Sequence, residues 1–600
     1  MKQQISQRLE ALREAMKREH IDAYIFPSAD AHNSEYTPEH WHGREWISGF
    51  NGSAGTAVVT LNEAALWTDS RYFIAAADAL EGTEFRLMKE RISGTPTISQ
   101  WLGQVLATTD GATVGVDGYC YTHSEAEALK SDLRHNGGIT LRTNLDILDT
   151  VWKDRPAIPQ DKVFIHPEQY AGISCHEKLS MIRKALKEKH VNGVLISALD
   201  EVAWTLNLRG SDVHCTPVFL AYLLIDGDKT TLFIDGNKLT PEISDYLQRE
   251  GVRIDEYRNI ENALAHYGSY NILLDPDGIS HTLYNKVKCQ EKIDGESPVM
   301  WLKSQKNDTE ISCIRKAMIK DGVALVRLIR WIEESEAKGV VLTEMSIDEK
   351  LTQLKQQQPL FHSLSFDTIA AYGSHGAIVH YEATPETNAE VKPDGLLLLD
   401  CGTQYLDGTT DITRTLAIGK PTDEERRVCT LVMKAHIRLS RARWIKGTCG
   451  SQLDVLAHGC LWDEGYHYGH GTGHGVGFFL CCHEGPQGIR MNHKPAEMVP
   501  GVVMSNEPGI YLEGKFGCRI ENLVLVVPDG KGVQGEDFFR FDTLTLCPYD
   551  RRILDESMLT ADEIAWIDTY HQKVYDTLSP YLTPDECQWL SKECRRLDEK

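Results

Sequence analysis

LLLLDCGTQYLDGTTDITRT, residues 396–415, combines an apolar run, a turn signal and two aspartates. The run Leu396–Leu399 predicts a strand buried on both faces that ends on Asp400. Asp407-Gly408 is a strong hairpin signal, so the chain is expected to return and bring Asp411 beside Asp400. Buried aspartates side by side would repel each other unless a cation lies between them, which predicts a metal site. Taken alone, the pair is equally consistent with two solvated turn aspartates.

Three later motifs provide further side chains of the types that bind metals. Glycine-rich HGTGHGVG (470–477) contains His470 and His474, and glycines let a backbone approach a crowded site closely. SNEPGIY (505–511) places Glu507 before a Pro-Gly turn, and RIEN (519–522) places Glu521 ahead of an apolar run. A salt bridge to Arg519 is the alternative for Glu521. Together the motifs predict one oxygen-rich metal site formed by Asp400, Asp411, His474, Glu507 and Glu521.

Composition excludes several classes of partner. The formal net charge of −24 over 600 residues argues against nucleic acid or an anionic membrane, because both require a basic surface. No segment approaches the ~20 apolar residues of a transmembrane helix. The charged N-terminus lacks the apolar core of a signal peptide, and the 15 cysteines are odd in number and widely spaced, so we expect a cytoplasmic protein. The glycine-rich motif does not match the spacing of a nucleotide-binding loop.

The chain divides into four predicted parts. Residues 1–150 form an α/β domain, and 170–300 form a second α/β domain after an irregular linker. The segment 190–200 repeats the pattern of 20–30, each after an amphipathic helix and before a strand–turn–strand, so the second domain is predicted to be a duplicate of the first. Residues 305–540 form an α+β domain whose long first helix begins with a capping box at Asn307 and Glu310. Residues 541–600 form a tail of two helices with threonine caps.

The five predicted ligands resemble, in order and in local motif, those of the pita-bread metallopeptidases of family M24. Two creatinase-like N-terminal α/β domains and a C-terminal tail make the layout most similar to the three-domain Xaa-Pro aminopeptidases of that family. The resemblance covers essentially the whole chain and includes FNGSAGTAVV (50–59) and SFDTIAAYGSHGAIVHYEAT (365–384). None of the five ligands is substituted.

The resemblance implies an exopeptidase that releases the first residue of peptides with proline in second position. It implies two divalent ions, Mn²⁺ first, with Co²⁺, Fe²⁺ or Zn²⁺ as alternatives. Asp411 would chelate one ion, Asp400 and Glu521 would bridge the two, and His474 and Glu507 would complete the site. A hydroxide bridging the ions would attack the carbonyl before proline.

The same resemblance assigns the remaining site residues. Glu507 would pass a proton to the departing nitrogen. His380 and His483 would contact substrate and stabilise the oxyanion, His470 would shape the proline pocket, and Arg519 would bind substrate. A structural histidine at a strand end is the alternative for His380. Homodimerisation is expected, with the tail as one possible contact.

Three other functions remain open. Prolidase cleaves Xaa-Pro dipeptides with the same ligands but after one preceding domain. Methionine aminopeptidase has the same metal core without a long N-terminal region. Some pita-bread proteins are binding modules that have lost the ligands.

Overall fold

The computed structural model describes residues 2–268 and 271–597. The chain folds into two compact units. The first comprises Met1–His166 and Ile173–Met300, and the second comprises Pro167–Gly172 and Trp301–Lys600. None of the helices in the described part of the chain combines the length and the hydropathy of a membrane-spanning segment.

The first half of the N-terminal unit is built on a six-stranded sheet. Its strands, in spatial order, are Phe85–Lys89, Ala64–Thr68, Thr56–Thr60, Ala23–Phe26, Thr113–Gly115 and Thr140–Arg142. Its helices are Lys2–Arg18, Gly43–Ser48, Phe73–Leu80, Ile98–Val105, His123–Gly137 and Leu148–Val151. The predicted amphipathic first helix is confirmed, because Ile5, Leu9, Leu12 and Met16 form its buried face.

The second half of this unit repeats the arrangement. Its sheet has, in spatial order, the strands Val252–Glu256, Lys229–Ile234, Ala221–Asp226, Gly193–Ile196, Asn271–Leu274 and Glu291–Asp294. Each pair of neighbouring strands has the same relative direction, parallel or antiparallel, as the corresponding pair in the first sheet. The helices are Cys175–Glu188, Leu199–Leu206, Pro241–Arg249, Ile260–Ala265 and His281–Lys286. A further helix, Pro298–Ser304, begins in this unit and ends in the second. The predicted relation between the two α/β domains is therefore visible in their topology.

The second unit is α+β. Two larger sheets are formed by the strands Phe361–Leu364, Ile369–Tyr372, Leu396–Tyr405 and Gly408–Ala417, and by Arg443–Ile445, Gly473–Gly475, Glu484–Ile489, Val503–Asn506, Asn522–Lys531 and Asp537–Thr543. Two short ribbons pair Leu342–Thr343 with Glu390–Val391, and Gly509–Leu512 with Phe516–Arg519. The helices are Asp308–Ala337, Glu344–Gln356, Asp423–Ser440 and Gly450–Trp462.

Capping boxes begin the long helix and both tail helices. Asn307 caps Asp308–Ala337, Thr560 caps Ala561–Leu578, and Thr583 caps Pro584–Glu593, so the predicted caps are confirmed. The tail packs on the second unit through buried Ile567, Val574, Leu578 and Leu590, which belong to its main hydrophobic cluster. The tail is therefore an integral part of this unit.

Candidate metal centre

Asp400 and Asp411 lie on one face of a long hairpin. The strands Leu396–Tyr405 and Gly408–Ala417 pair antiparallel, with Gly402 opposite Asp411 and Thr413 opposite Asp400. The predicted hairpin is confirmed, with its turn at Leu406-Asp407, one residue earlier than predicted. The predicted strand end at Asp400 is wrong, because the strand continues to Tyr405. Since side chains alternate along a strand, the two aspartates are diagonal neighbours on the same face.

Other segments bring a histidine and a glutamate to this face. Ligand atoms of Asp411, His474 and Glu521 all lie within 4.8 Å of one another. His474 Nε2 is 3.3 Å from Asp411 Oδ2 and 3.5 Å from Glu507 Oε1. Glu521 directly precedes the strand Asn522–Lys531. Residues from separate segments of the chain thus place carboxylate oxygens and an imidazole nitrogen in one small volume.

His474 faces this volume through Nε2. Its Nδ1 is 2.9 Å from the carbonyl oxygen of Gly475, which can only accept a hydrogen bond. Nδ1 therefore donates, and the lone pair of the neutral ring lies on Nε2. This is the tautomer that a histidine needs to bind a metal through Nε2.

Glycines flank His474 because neighbouring backbone leaves no room for side chains. A Cβ at Gly473 would lie 2.0 Å from the Ser505 oxygen, and one at Gly475 would lie 2.4 Å from the Glu484 oxygen. Neither position requires a left-handed backbone, so the reason for glycine is close approach. The HGTGHGVG motif therefore lets the His474 strand fit between its two neighbours.

The protein donates hydrogen bonds to only one of the two carboxylate oxygens of Asp400. Its Oδ2 accepts hydrogen bonds from Arg519 Nη2 at 2.6 Å and from Arg519 Nε at 3.1 Å. Its Oδ1 is buried, and within the described part of the chain no hydrogen-bond donor reaches it. Leaving a buried carboxylate oxygen without a partner is costly, so a cation beside Oδ1 would complete the group.

The positive charge of Arg519 does not balance the four carboxylates of the cluster. Burial raises the pKa of Asp400, Glu507 and Glu521, and the charge of Asp411 raises each of them further. Burial opposes protonation of His474, but Asp411 and Glu507 outweigh it and raise its pKa to about 9. The raised pKa values of the three carboxyls and of His474 all favour protonated side chains. Divalent cations would neutralise the same negative charge. The donor set fits the two ions that the family resemblance implies.

The structure brings the other predicted histidines to the same region. The rings of His483 and His474 have centroids 4.3 Å apart. His470 Nδ1 is 3.9 Å from Glu507 Oε2, and its Nε2 is 2.8 Å from the Tyr511 hydroxyl. His380 directly follows Val379, whose carbonyl oxygen accepts a hydrogen bond from Arg519 Nη2 at 3.3 Å. Their roles towards substrate stay predictions.

Arg519 makes contacts that organise the centre. Besides Asp400 and Val379, its Nη1 donates to the Tyr511 hydroxyl at 2.7 Å, and its Nε donates to Thr413 Oγ1 at 3.2 Å. These contacts favour a role in holding the ligands, and the predicted role in substrate binding stays a prediction.

Three supporting residues are absent from the set that the sequence predicts. Tyr511 joins Arg519 to His470, because His470 Nδ1 donates to the Gly471 oxygen and leaves Nε2 to accept from Tyr511. Thr413 Oγ1 donates to Glu521 Oε2 at 2.8 Å, and the Cys482 thiol donates to Asp411 Oδ2 at 3.3 Å. Strand alternation places Thr413 on the face of Asp411, but nothing in the sequence identifies Tyr511 or Cys482.

Four segments of the chain match known protein families. Residues 8–144 and 154–310 each match the creatinase/prolidase N-terminal domain. Residues 312–528 match metallopeptidase family M24, and residues 537–597 match the C-terminal region of that peptidase family.

Relatives extend over nearly the whole chain. A probable Xaa-Pro aminopeptidase P of Aspergillus fumigatus is 39% identical over 98% of this chain and 92% of its own. Aminopeptidase P2 of Arabidopsis thaliana is 39% identical over 96% of this chain and 86% of its own. The crystal structure of an X-prolyl aminopeptidase from Caenorhabditis elegans, described as a cytosolic enzyme with a di-nuclear active site, is 32% identical, covers 99% of both chains and has a TM-score of 0.94.

Proposed function

We propose that this chain, which belongs to metallopeptidase family M24, is an Xaa-Pro aminopeptidase. Such an enzyme is a metal-dependent hydrolase that releases the N-terminal residue from peptides with proline in second position. Its architecture is that of two creatinase-type domains followed by the M24 catalytic domain. The observation that supports the proposal most is the convergence of Asp411, His474 and Glu521 within 4.8 Å in a chain with such relatives.

Two divalent ions would be held by Asp400, Asp411, His474, Glu507 and Glu521. Asp400 and Glu521 would be ligands of both ions, Asp411 would chelate one of them, and His474 and Glu507 would complete the site. The four carboxylates make the site rich in hard oxygen donors, which favours Mn²⁺, with Co²⁺, Fe²⁺ or Zn²⁺ as alternatives. When bound, the ions supply an activated water and polarise the scissile carbonyl.

The residues around the ions would handle the substrate. A proline nitrogen in a peptide has no hydrogen, so the enzyme cannot orient it through an N–H bond. Like any amide nitrogen it has to be protonated to leave, and Glu507 is the proposed proton carrier. His380 and His483 would donate hydrogen bonds to the oxyanion. His470, held by Tyr511 at 2.8 Å, would form one wall of the proline pocket.

Cleavage products distinguish this function from prolidase activity. The purified protein with Mn²⁺ is incubated with a peptide that begins Arg-Pro-Pro and with an Xaa-Pro dipeptide, and products are identified by mass spectrometry. We expect loss of arginine alone from the longer peptide, at a higher rate than dipeptide cleavage. Cleavage of the dipeptide only would establish the prolidase alternative.

Metal analysis tests the remaining alternative, a binding module without catalysis. We expect bound divalent ions and activation by added Mn²⁺ after treatment with a chelator. A protein that neither binds nor responds to divalent ions would favour the binding module.

We also propose a cytoplasmic homodimer. The location follows the C. elegans enzyme, which is described as cytosolic. The dimer follows the family resemblance, with the tail still a possible contact. Sedimentation velocity at micromolar concentration measures the assembly, and a single species of about 67.5 kDa would contradict the dimer.

A further inference from the structure

Glu344 is a buried carboxylate, and both of its oxygens accept hydrogen bonds from residues 372–389. It is the first residue of the helix Glu344–Gln356 and is 0% exposed. Its Oε1 accepts hydrogen bonds from the Tyr372 amide and from His375 Nδ1, both at 2.8 Å. Its Oε2 accepts from the Tyr381 hydroxyl at 2.8 Å and from the Ala389 amide at 2.9 Å.

These contacts make Glu344 a rigid anchor. Two hydrogen bonds on each oxygen fill the acceptor sites of a carboxylate, so the group can stay charged in the interior. The helix N-terminus adds a favourable dipole. The Glu344 amide also donates to the Ala389 oxygen at 3.1 Å, so Glu344 and Ala389 bind each other in both directions. Residues 372–389 are thereby attached to one side chain at both ends and in the middle.

His380 lies inside this stretch, between two held neighbours. On one side, the Val379 carbonyl oxygen accepts from Arg519 Nη2, and Arg519 also binds the predicted ligand Asp400. On the other side, the Tyr381 hydroxyl binds Glu344. The His375 ring stacks on the Tyr381 ring with centroids 4.4 Å apart, which links two of the four donors. The backbone at His380 is therefore fixed from the metal centre and from Glu344.

We propose that Glu344 is a positioning residue that holds His380 in place at the metal centre. The proposal rests on the proposed function, since that function gives His380 its role towards the oxyanion. Glu344 binds neither ion nor substrate and acts through residues 372–389. Its loss should leave metal binding intact and weaken the step that needs His380.

Glu344→Gln is the primary variant. In glutamine an NH₂ group, which donates, replaces one of the two acceptor oxygens. Two of the four N–H and O–H donors around residue 344 would therefore lose their acceptor. We expect kcat to fall by about 10-fold to 100-fold, as small misplacements of catalytic groups do, with KM changing much less. Metal content should remain that of the unchanged protein. Hydrogen exchange in the metal-free protein should quicken within 372–389 and not within 396–417.

Two further variants keep the test decisive. Glu563→Gln is the matched control, because Glu563 is a buried glutamate in the first turn of the helix Ala561–Leu578 and accepts from the Thr560 amide. It should leave kcat and exchange in 372–389 unchanged. Tyr381→Phe removes one of the four hydrogen bonds and should give a smaller loss of the same kind, which provides a result even if Glu344→Gln folds poorly.

A double-mutant cycle tests the route through His380. If Glu344 acts through His380, Glu344→Gln should slow a His380→Ala enzyme far less than it slows the unchanged enzyme. Losses that multiply, or a Glu344→Gln enzyme with normal kcat and normal exchange, would overturn the proposal. Failure of the unchanged Mn²⁺-loaded protein to cleave any Xaa-Pro peptide would instead overturn the proposed function.

Discussion

Charge balance at single residues determines how the proposed metal centre can form. Asp411 is 4% exposed, Asp400 8% and Glu521 1%, so water cannot compensate their charges. Arg519 is the cation that hydrogen-bonds to Asp400, and it uses only Oδ2. The remaining negative charge is what two divalent ions would neutralise.

Removing one predicted ligand should therefore empty the site. We expect Asp400→Ala, and separately His474→Ala, to lose bound metal and activity, because each removes a ligand and leaves Arg519 or Asp411 without its partner. Mass spectrometry of the metal content after dialysis measures the loss. Glu513→Ala, in an exposed turn of the same unit, serves as the control. Near-normal turnover in either variant would show that the substituted residue is not a ligand of the catalytic metal.

His436 predicts a specific pH dependence of stability. Burial lowers its pKa from 6.5 to about 3, and the Arg414 charge adds to this effect. Between these values the unfolded chain binds the proton and the folded chain does not, so this residue lowers stability as the pH falls through that range. His436→Gln can still donate to the Asn506 oxygen and accept from Tyr549 without titrating.

The comparison uses the metal-free protein, so that metal loss in acid does not contribute. From pH 7 to pH 5, we expect the Tm of the unchanged protein to fall more steeply than that of His436→Gln. Parallel Tm curves for the two proteins would contradict a neutral, low-pKa His436.

At the scale of single residues, the sequence points to the candidate ligands and not to the residues that support them. Asp400, Asp411, His474, Glu507 and Glu521 stand in motifs whose composition is unusual for a core or a turn. Tyr511 and Cys482 look like ordinary core residues in the sequence. Their hydrogen bonds depend on which segments become neighbours in the fold, and no local pattern contains that information.

Close approach between elements explains the glycine-rich strand at the centre. The strand Gly473–Gly475 pairs with Glu484–Ile489 on one side and with Val503–Asn506 on the other. The positions of Ser505 and Glu484 leave space for hydrogen atoms and none for a Cβ at Gly473 or Gly475.

Gly473→Ala should therefore destabilise the second unit. Its Cβ would lie 2.0 Å from a backbone oxygen, so the strands must separate. Overpacking of this kind costs about 1–3 kcal/mol, and it should also weaken metal binding by moving His474. Thermal unfolding and metal titration measure the two effects.

Gly459→Ala is the matched control. Gly459 lies inside the helix Gly450–Trp462, and a Cβ added there would meet no atom within 4 Å beyond the helix's own backbone. Alanine there should stabilise by about 1 kcal/mol through helix propensity. A Gly473→Ala protein as stable as the control would contradict the close-packing explanation.

Elements were predicted well where periodicity or capping was strong. The long helix capped at Asn307 and the tail helices capped at Thr560 and Thr583 are confirmed. The predicted strand stops at Asp400 because the second half of the observed strand, CGTQY, is neither apolar throughout nor alternating. The register that puts Asp411 opposite Gly402 follows from the turn geometry, which the Asp-Gly pair alone does not specify.

Arg414 connects the tail to the metal centre across the second unit. It is buried, and its guanidinium donates to the Glu521 carbonyl oxygen at 2.7 Å, the Cys547 carbonyl oxygen at 2.8 Å and the Tyr570 hydroxyl at 2.9 Å. Tyr570 belongs to the tail helix Ala561–Leu578. A buried cation needs every such acceptor, so the tail helps to hold the backbone of a predicted ligand.

Tyr570→Phe should therefore weaken metal binding from a distance. Loss of the hydroxyl removes one acceptor from Arg414 and loosens its hold on Glu521. We expect the apparent Kd for Mn²⁺ to rise by about 10-fold, the scale seen when outer partners of metal ligands are removed. Titration calorimetry measures it. Tyr575→Phe removes a hydroxyl from the same helix outside this network, and equal affinities in both variants would contradict the link.

Anomalous diffraction from crystals loaded with Mn²⁺ would locate the metal ions relative to the five predicted ligands. Data collected at the manganese edge should show two peaks about 3.5–4 Å apart, the usual spacing of dinuclear hydrolytic sites, both bounded by Asp400, Asp411, His474, Glu507 and Glu521. Peaks elsewhere in the molecule, or none among these five side chains, would contradict the proposed metal centre.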